Sequence, residues 1–123
     1  MALRLHLLAA MSLTISKRSE GQVEILGLAG RLILGETSQL RQHVGAALER
    51  KSDVLLDLSD LTYMDSAGLG ELVSALASAS SRGRGMKLLR PQKRMVDLLQ
   101  ITKLYTTFEV FEEEASALEG YAG

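Results

Sequence analysis

The clearest pattern in the chain is an apolar run from Val54 to Leu58, followed by apolar positions at helical spacing from Leu69 onward. A short and nearly continuous apolar run is typical of a strand that is buried on both faces. Apolar residues three and four positions apart form one buried face of a helix. These patterns predict a central strand, a short junction at residues 65–68 and a helix that packs on the strand.

Similar patterns before and after this unit predict the remaining elements. Alternating residues on both sides of a turn at residues 19–21 predict a β-hairpin, and residues 30–35 are interpreted as a loop or a short strand end. Further elements are expected as helices at 37–51, after Pro91 and at 112–119, and as short strands at 86–89 and 108–110. The order β-β-α-β-α-β-α-β-α predicts an α/β domain. We expect a mixed sheet of four or five strands, with an N-terminal antiparallel hairpin and helices mainly on one face.

Length and composition favour one small domain. The chain has 123 residues, a formal net charge of −1 and no cysteine, which excludes disulfides and thiolate metal sites. No apolar run approaches the roughly 18 residues of a membrane span, so we expect no membrane insertion. The absence of cysteine fits a reducing cytoplasm, and we expect a cytoplasmic location. We assign residues 12–119 to the domain, residues 1–11 to an N-terminal extension and residues 120–123 to a C-terminal tail.

Residues 82–94 carry six basic side chains and no acidic one. No aromatic residues are interleaved with them for base stacking, and no known nucleic-acid motif is present, so direct nucleic-acid binding is not expected. Two interpretations of this basic stretch remain: a solvated face, or a docking patch for an acidic partner.

The junction between the central strand and its helix carries the candidate chemistry. Asp65 and Ser66 precede the small residues Ala67 and Gly68, and Gly70 follows shortly after. A hydroxyl at a helix N-terminus is exposed, and the free N–H groups and helix dipole favour an anion there. The small neighbours leave room for another protein to approach this hydroxyl. A plain N-cap by the aspartate or the serine is the alternative.

Signals of catalysis are missing around this serine. The residue two before Ser66 is Met64, so the Gly-x-Ser-x-Gly pattern of a hydrolase nucleophile does not occur. The chain also lacks a Gly-Lys-Ser/Thr phosphate loop. The acids Asp60, Asp65 and Glu71 have no histidine or cysteine beside them, which makes a poor metal site. We therefore expect neither an enzyme nor a bound metal or other cofactor.

Residues 55–70, which end in Asp-Ser-Ala-Gly-Leu-Gly, closely resemble the signature of the STAS domain, the sulfate-transporter and anti-sigma-factor-antagonist family. Gly30-x-Leu32 and the segments 95–104 and 108–111 are similar to the same family. The resemblance covers roughly residues 12–118. Its strand–helix signature is of the type found in bacterial anti-sigma factor antagonists.

The resemblance implies regulation of transcription by partner switching. In such antagonists the serine that matches Ser66 is phosphorylated by a kinase that is also the anti-sigma factor. The unphosphorylated chain would bind this anti-sigma factor kinase and free a sigma factor. The phosphorylated chain would be released until a phosphatase restores it. We expect the partner to bind a face that includes the loop 31–36 and to contact Asp65, Ser66, Ala67, Gly68, Gly70, Arg31 and Ile33.

Two expectations depend on particular residues of this set. Gly68→Arg and Ala67→Glu are each expected to weaken partner binding with little change in stability. Sigma-factor antagonists typically carry an aspartate directly after Gly30-x-Leu32, where this chain has Ile33. Because an apolar side chain cannot make the polar contacts of a carboxylate, a second hypothesis stays open. It is a non-switching STAS module of a stress-signalling scaffold or of a transport complex.

Overall fold

The computed structural model describes residues 12–121, which form five strands and four helices in the predicted order. The strands are β1 (Leu13–Glu20), β2 (Val23–Leu32), β3 (Asp53–Met64), β4 (Met86–Leu89) and β5 (Val110–Phe111). The helices are α1 (Thr37–Glu49), α2 (Ser66–Ser81), α3 (Lys93–Ile101) and α4 (Glu114–Leu118). The expected N-terminal extension and the last two residues of the expected tail lie outside the described residues. Within residues 12–121, no helix has both the length and the apolar composition that a membrane-spanning helix needs.

All five strands belong to one sheet, and each strand lies beside its neighbour in sequence. β1 and β2 pair antiparallel, with Leu13 opposite Gly30, and the other pairs are parallel. Helices α1, α2 and α3 contribute to the larger apolar cluster, and α4 contributes to a smaller one. This confirms the predicted α/β fold, with a mixed sheet, an N-terminal hairpin and helices mainly on one face.

Successive side chains in the first half of β3 point alternately to the two faces of the sheet. Val54 and Leu56 belong to the larger cluster, and Leu55 between them belongs to the smaller cluster with Ala117 of α4. All three β3 residues are inaccessible to solvent. The central strand is therefore buried on both faces, which explains its continuous apolar run.

β3 is longer than the apolar run that predicts it. It continues to Met64, six residues beyond the predicted end, whereas β4 ends opposite Asp57. Between the pairs Gly27–Asp57 and Leu32–Met64, β2 advances by five residues and β3 by seven. The two extra residues are irregularities of the β-bulge type, which disturb the alternation used in strand prediction. Residues 30–32 form the end of β2, which agrees with the strand-end interpretation for this part of residues 30–35.

The basic stretch at residues 82–94 does not form one surface. Lys87 is 4% exposed, and its ammonium group donates to the carbonyl oxygens of Ala117 (2.9 Å) and Glu119 (2.7 Å). Arg90 lies 3.8 Å from a carboxylate oxygen of Asp57. The two interpretations, a solvated face and a docking patch, therefore concern only the exposed side chains of the stretch, which are Arg82, Lys93 and Arg94.

Candidate functional site

Asp65 caps α2 and also holds the loop that follows β2. Its Oδ1 accepts a hydrogen bond from the backbone N–H of Gly68 (2.9 Å), and its Oδ2 accepts one from the backbone N–H of Leu34 (3.0 Å). These donors, with Leu34 the stronger, lower the pKa of Asp65 because they stabilise the carboxylate. The aspartate thus joins the β2–α1 loop to the first turn of α2.

Ser66 is the first residue of α2, and its side chain is exposed. Because Asp65 supplies the cap, the Ser66 hydroxyl is not needed for capping. No residue between 12 and 121 makes a hydrogen bond to this hydroxyl. Ala67 is half-buried, and Gly70 is exposed with open space where a Cβ would be. The hydroxyl is therefore accessible at the positive end of a helix of 16 residues.

Gly68 differs from its neighbours because it is buried. A Cβ at this position would lie 2.2 Å from the carbonyl oxygen of Leu32 and 2.9 Å from Cγ of Met64. The missing side chain lets the first turn of α2 pack directly on the end of β2. The structure corrects the expectation that Gly68 lies on an accessible binding face. The expected tolerance of Gly68→Arg is wrong for the same reason.

The β2–α1 loop brings an apolar side chain to the surface beside α2. Leu34 is 78% exposed, and its backbone is held by Asp65. The carbonyl of Ile33 accepts a hydrogen bond from the N–H of Glu36 (2.9 Å), and Gly35 adopts φ +96°, a conformation that favours glycine. Ile33 is half-buried and offers no polar side-chain group to the serine.

Arg31 and Tyr63 form a second feature of this edge. They are partners in the β2–β3 register, and the Arg31 guanidinium lies 5.0 Å from the centre of the Tyr63 ring, a cation–π contact. Tyr63 is 38% exposed. Leu34 belongs to the loop 31–36 that is expected at the binding face, but no pattern singles it out there, and Tyr63 is not among the predicted residues. An exposed apolar residue in a loop carries no periodic signal, and the position of Tyr63 depends on the irregularities of β3.

We use the name Ser66 edge for Arg31, Leu34, Tyr63, Asp65, Ser66 and Gly70. Within residues 12–121 no group of three His, Cys, Asp or Glu side chains is arranged to hold a metal ion. The Ser66 edge combines an accessible hydroxyl with exposed apolar and aromatic groups and one guanidinium. Such a surface suits contact with another protein and modification of the hydroxyl.

The sequence of residues 14–117 matches the STAS domain family. The anti-sigma-B factor antagonist of Bacillus subtilis is 28% identical over 94 residues, which are 76% of this chain and 85% of that protein. The Bacillus cell fate determinant SpoIIAA in its phosphorylated form has a similar fold, with a TM-score of 0.67 and 18% identity over 88% of this chain and 97% of that chain.

A domain of the murine Solute Carrier 26 family member A9 anion transporter is also similar, with a TM-score of 0.75 and 13% identity. The similarity covers 95% of this chain and 23% of the transporter. At such identities, the transporter and SpoIIAA demonstrate the fold alone. The family match, in contrast, spans more than four fifths of the sequence. The chain therefore belongs to the STAS domain family.

Proposed function

We propose that this protein is an anti-sigma factor antagonist whose partner binding is controlled by phosphorylation of Ser66. The unphosphorylated chain binds an anti-sigma factor kinase and so frees a sigma factor. Phosphorylation releases the chain, and a phosphatase restores the binding form. The observation that carries the proposal is the free, exposed Ser66 hydroxyl, next to an aspartate that already caps the helix.

The position of Ser66 suits a modification that leaves the fold intact. A phosphate adds about 1.5 to 2 negative charges, and the N-terminus of α2 favours an anion. The hydrogen bonds of Asp65 do not involve the serine hydroxyl, so phosphorylation leaves the cap in place. The similar fold of phosphorylated SpoIIAA supports this point.

The same phosphate is unfavourable inside an interface. Burial of a charged, strongly hydrated group against another protein costs free energy unless the partner supplies compensating donors. The apolar side chain of Leu34 and the ring of Tyr63 contribute to the Ser66 edge, and neither can compensate the charge. The modified chain would therefore keep its fold and lose its partner.

The alternative function is that of a non-switching STAS module in a scaffold or a transport complex. Two observations favour it. Ile33 lacks the carboxylate that is typical of switching antagonists, and the anion transporter contains a domain of the same fold. In this case Ser66 would be a surface serine without regulation.

The test uses the full chain and each anti-sigma factor kinase encoded in its genome of origin, purified and assayed singly with ATP. We expect one kinase to add a single phosphoryl group, measured by intact mass. Ser66→Ala should abolish the modification. Ser74→Ala is the matched control, because Ser74 is an exposed serine of the same helix, and it should be modified normally.

Binding of that kinase is then measured by titration calorimetry. We expect the phosphorylated chain to bind at least about tenfold more weakly than the unmodified chain. Ser66→Asp should have a smaller effect because a carboxylate carries less charge than a phosphate. Full binding by the phosphorylated chain would contradict the proposal. If no kinase modifies Ser66 and the chain purifies with a transport complex or scaffold, the alternative is correct.

A further inference from the structure

A groove lies between the end of β3 and helix α3. It has a volume of about 370 Å³ and is lined by Tyr63, Met64, Arg94, Met95, Asp97, Leu98 and Ile101. The α3 residues at 94, 98 and 101 are spaced by four and three positions, so they share one face of the helix. Ile101 is 79% exposed. The floor is apolar, and one large apolar side chain stands at the rim without cover from residues 12–121.

The groove is continuous with the Ser66 edge. Tyr63 and Met64 line it and directly precede Asp65 and Ser66 in the chain. Leu34 follows β2, which pairs with β3 on the side opposite to β4 and α3, and its N–H donates to Asp65. Exposed apolar groups therefore occur on both sides of the phosphorylation site. A partner that covers Ser66 and extends toward α3 would also cover the groove.

The charges at the groove indicate the chemistry of this partner. Asp97 is paired with Lys93, with 3.1 Å between the charged groups. Arg94 is exposed, and Arg31 contacts the Tyr63 ring. No acidic side chain within residues 12–121 forms an ion pair with either arginine. Across the groove and the Ser66 edge, the three basic side chains Arg31, Lys93 and Arg94 outnumber the two acidic side chains Asp65 and Asp97. The net charge is therefore positive and complements an acidic surface.

We propose that the anti-sigma factor inserts an apolar side chain into this groove and places an acidic side chain against Arg94. This inference rests on the proposed function, because it assigns a second contact to the same partner. It also explains the direction of the switch. A phosphate on Ser66 adds negative charge to the edge that an acidic surface approaches, and like charges repel.

Four variants of the full chain test the groove, with the kinase that modifies Ser66 as the probe. Ile101→Ser removes the exposed apolar group, and Gln100→Ser is its control at the neighbouring exposed position. Arg94→Glu reverses the charge at the groove, and Arg82→Glu makes the same change directly after the last residue of α2. Thermal unfolding of each variant verifies that the fold is unchanged.

We expect Ile101→Ser to weaken kinase binding at least about tenfold in calorimetry, as for a central interface residue. Arg94→Glu should weaken binding by a similar factor in low salt and by less in high salt, because ions screen the charges. Both controls should bind within about twofold of the unchanged chain.

The results separate this inference from the proposed function. If Ser66 controls binding while Ile101→Ser and Arg94→Glu bind normally, the groove inference is overturned and the switch stands. If no anti-sigma factor kinase binds the unchanged chain, both are overturned.

Tighter kinase binding by Ile101→Ser would mean that another segment of this chain covers the groove. If Ile101→Ser has a lower molecular mass in sedimentation than the unchanged chain, a second copy of the chain covers the groove. Either result overturns the inference.

Discussion

Gly68 and Gly70 are two residues apart in α2, yet their surroundings are opposite. A Cβ at Gly68 would collide with the Leu32 carbonyl oxygen, whereas a Cβ at Gly70 would meet nothing within 4 Å. We expect Gly68→Ala to lower the free energy of unfolding by about 2 kcal/mol or more, since backbone must move. Gly70→Ala should raise it by up to about 1 kcal/mol, because alanine favours a helix.

Urea denaturation of the two glycine variants measures this difference. The comparison is well matched because both changes add one methyl group to the same helix. Equal stability of the two variants would contradict the close packing of α2 on β2.

Asp65 should make the stability of the protein depend on pH. Its folded-state pKa lies below the unfolded value because the N–H groups of Leu34 and Gly68 bind the carboxylate. This contribution is therefore present above the unfolded pKa of about 3.9 and is lost as the pH falls through the folded pKa. Asp65→Asn keeps an acceptor for the cap and removes the charge.

We expect Asp65→Asn to unfold at a lower temperature than the unchanged chain at pH 7, with a smaller difference at pH 3. Calorimetric melting at a series of pH values measures this change. Asp60→Asn is the control, because Asp60 is exposed. A difference that stays constant from pH 7 to pH 3 would contradict the role of the Asp65 charge.

At the scale of elements, α4 depends on a lysine from β4. The Lys87 ammonium binds the carbonyls of Ala117 and Glu119 and lies 4.9 Å and 4.1 Å from the ring centres of Phe111 and Tyr121. A helix of five residues is too short to be stable alone. The lysine thus anchors α4 and the residues after it to the second face of the sheet.

Lys87→Met should weaken the attachment of residues 114–121 to the sheet. Methionine fills a similar volume but leaves the two carbonyls without their donor, which costs about 1–3 kcal/mol. Hydrogen exchange should become faster in residues 114–121 and stay unchanged in α2. Lys103→Met at an exposed position is the control. Unchanged protection of residues 114–121 in Lys87→Met would show that α4 is held by apolar packing alone.

At the scale of the whole molecule, the sequence predicts the elements that bury a regular apolar pattern. Val54 to Leu58 and the α2 pattern correctly predict the central unit, and the capping residues correctly place its junction. The end of β3 was not predicted because its two irregularities break the period of two. The burial of Lys87 could not be predicted from neighbouring residues, because the two carbonyl groups that accept its hydrogen bonds lie 30 and 32 residues away in the sequence.

In the candidate site, too, features that depend on adjacent residues could be predicted, and features that depend on residues far apart in the sequence could not. Ser66 and Asp65 could be identified because helix capping depends on adjacent residues. The burial of Gly68 could not, because a glycine has no side chain whose polarity reports its surroundings. Leu34 joins the site through a hydrogen bond to a residue 31 positions away. Such contacts are formed only when β2 and β3 lie side by side.

The order of strands in the sheet has a consequence for folding. Each strand pairs with its neighbour in sequence, from β1 to β5, so no late strand has to insert between two strands that are already paired. The β1–β2 hairpin is local, and each later strand joins the free edge after one connection. The connections between the parallel strands span residues 33–52, 65–85 and 90–109, so no pair of neighbouring strands is far apart in the sequence. A small separation in sequence between contacting segments favours fast folding. The sheet can therefore grow from one edge, in the order in which a ribosome synthesises the chain.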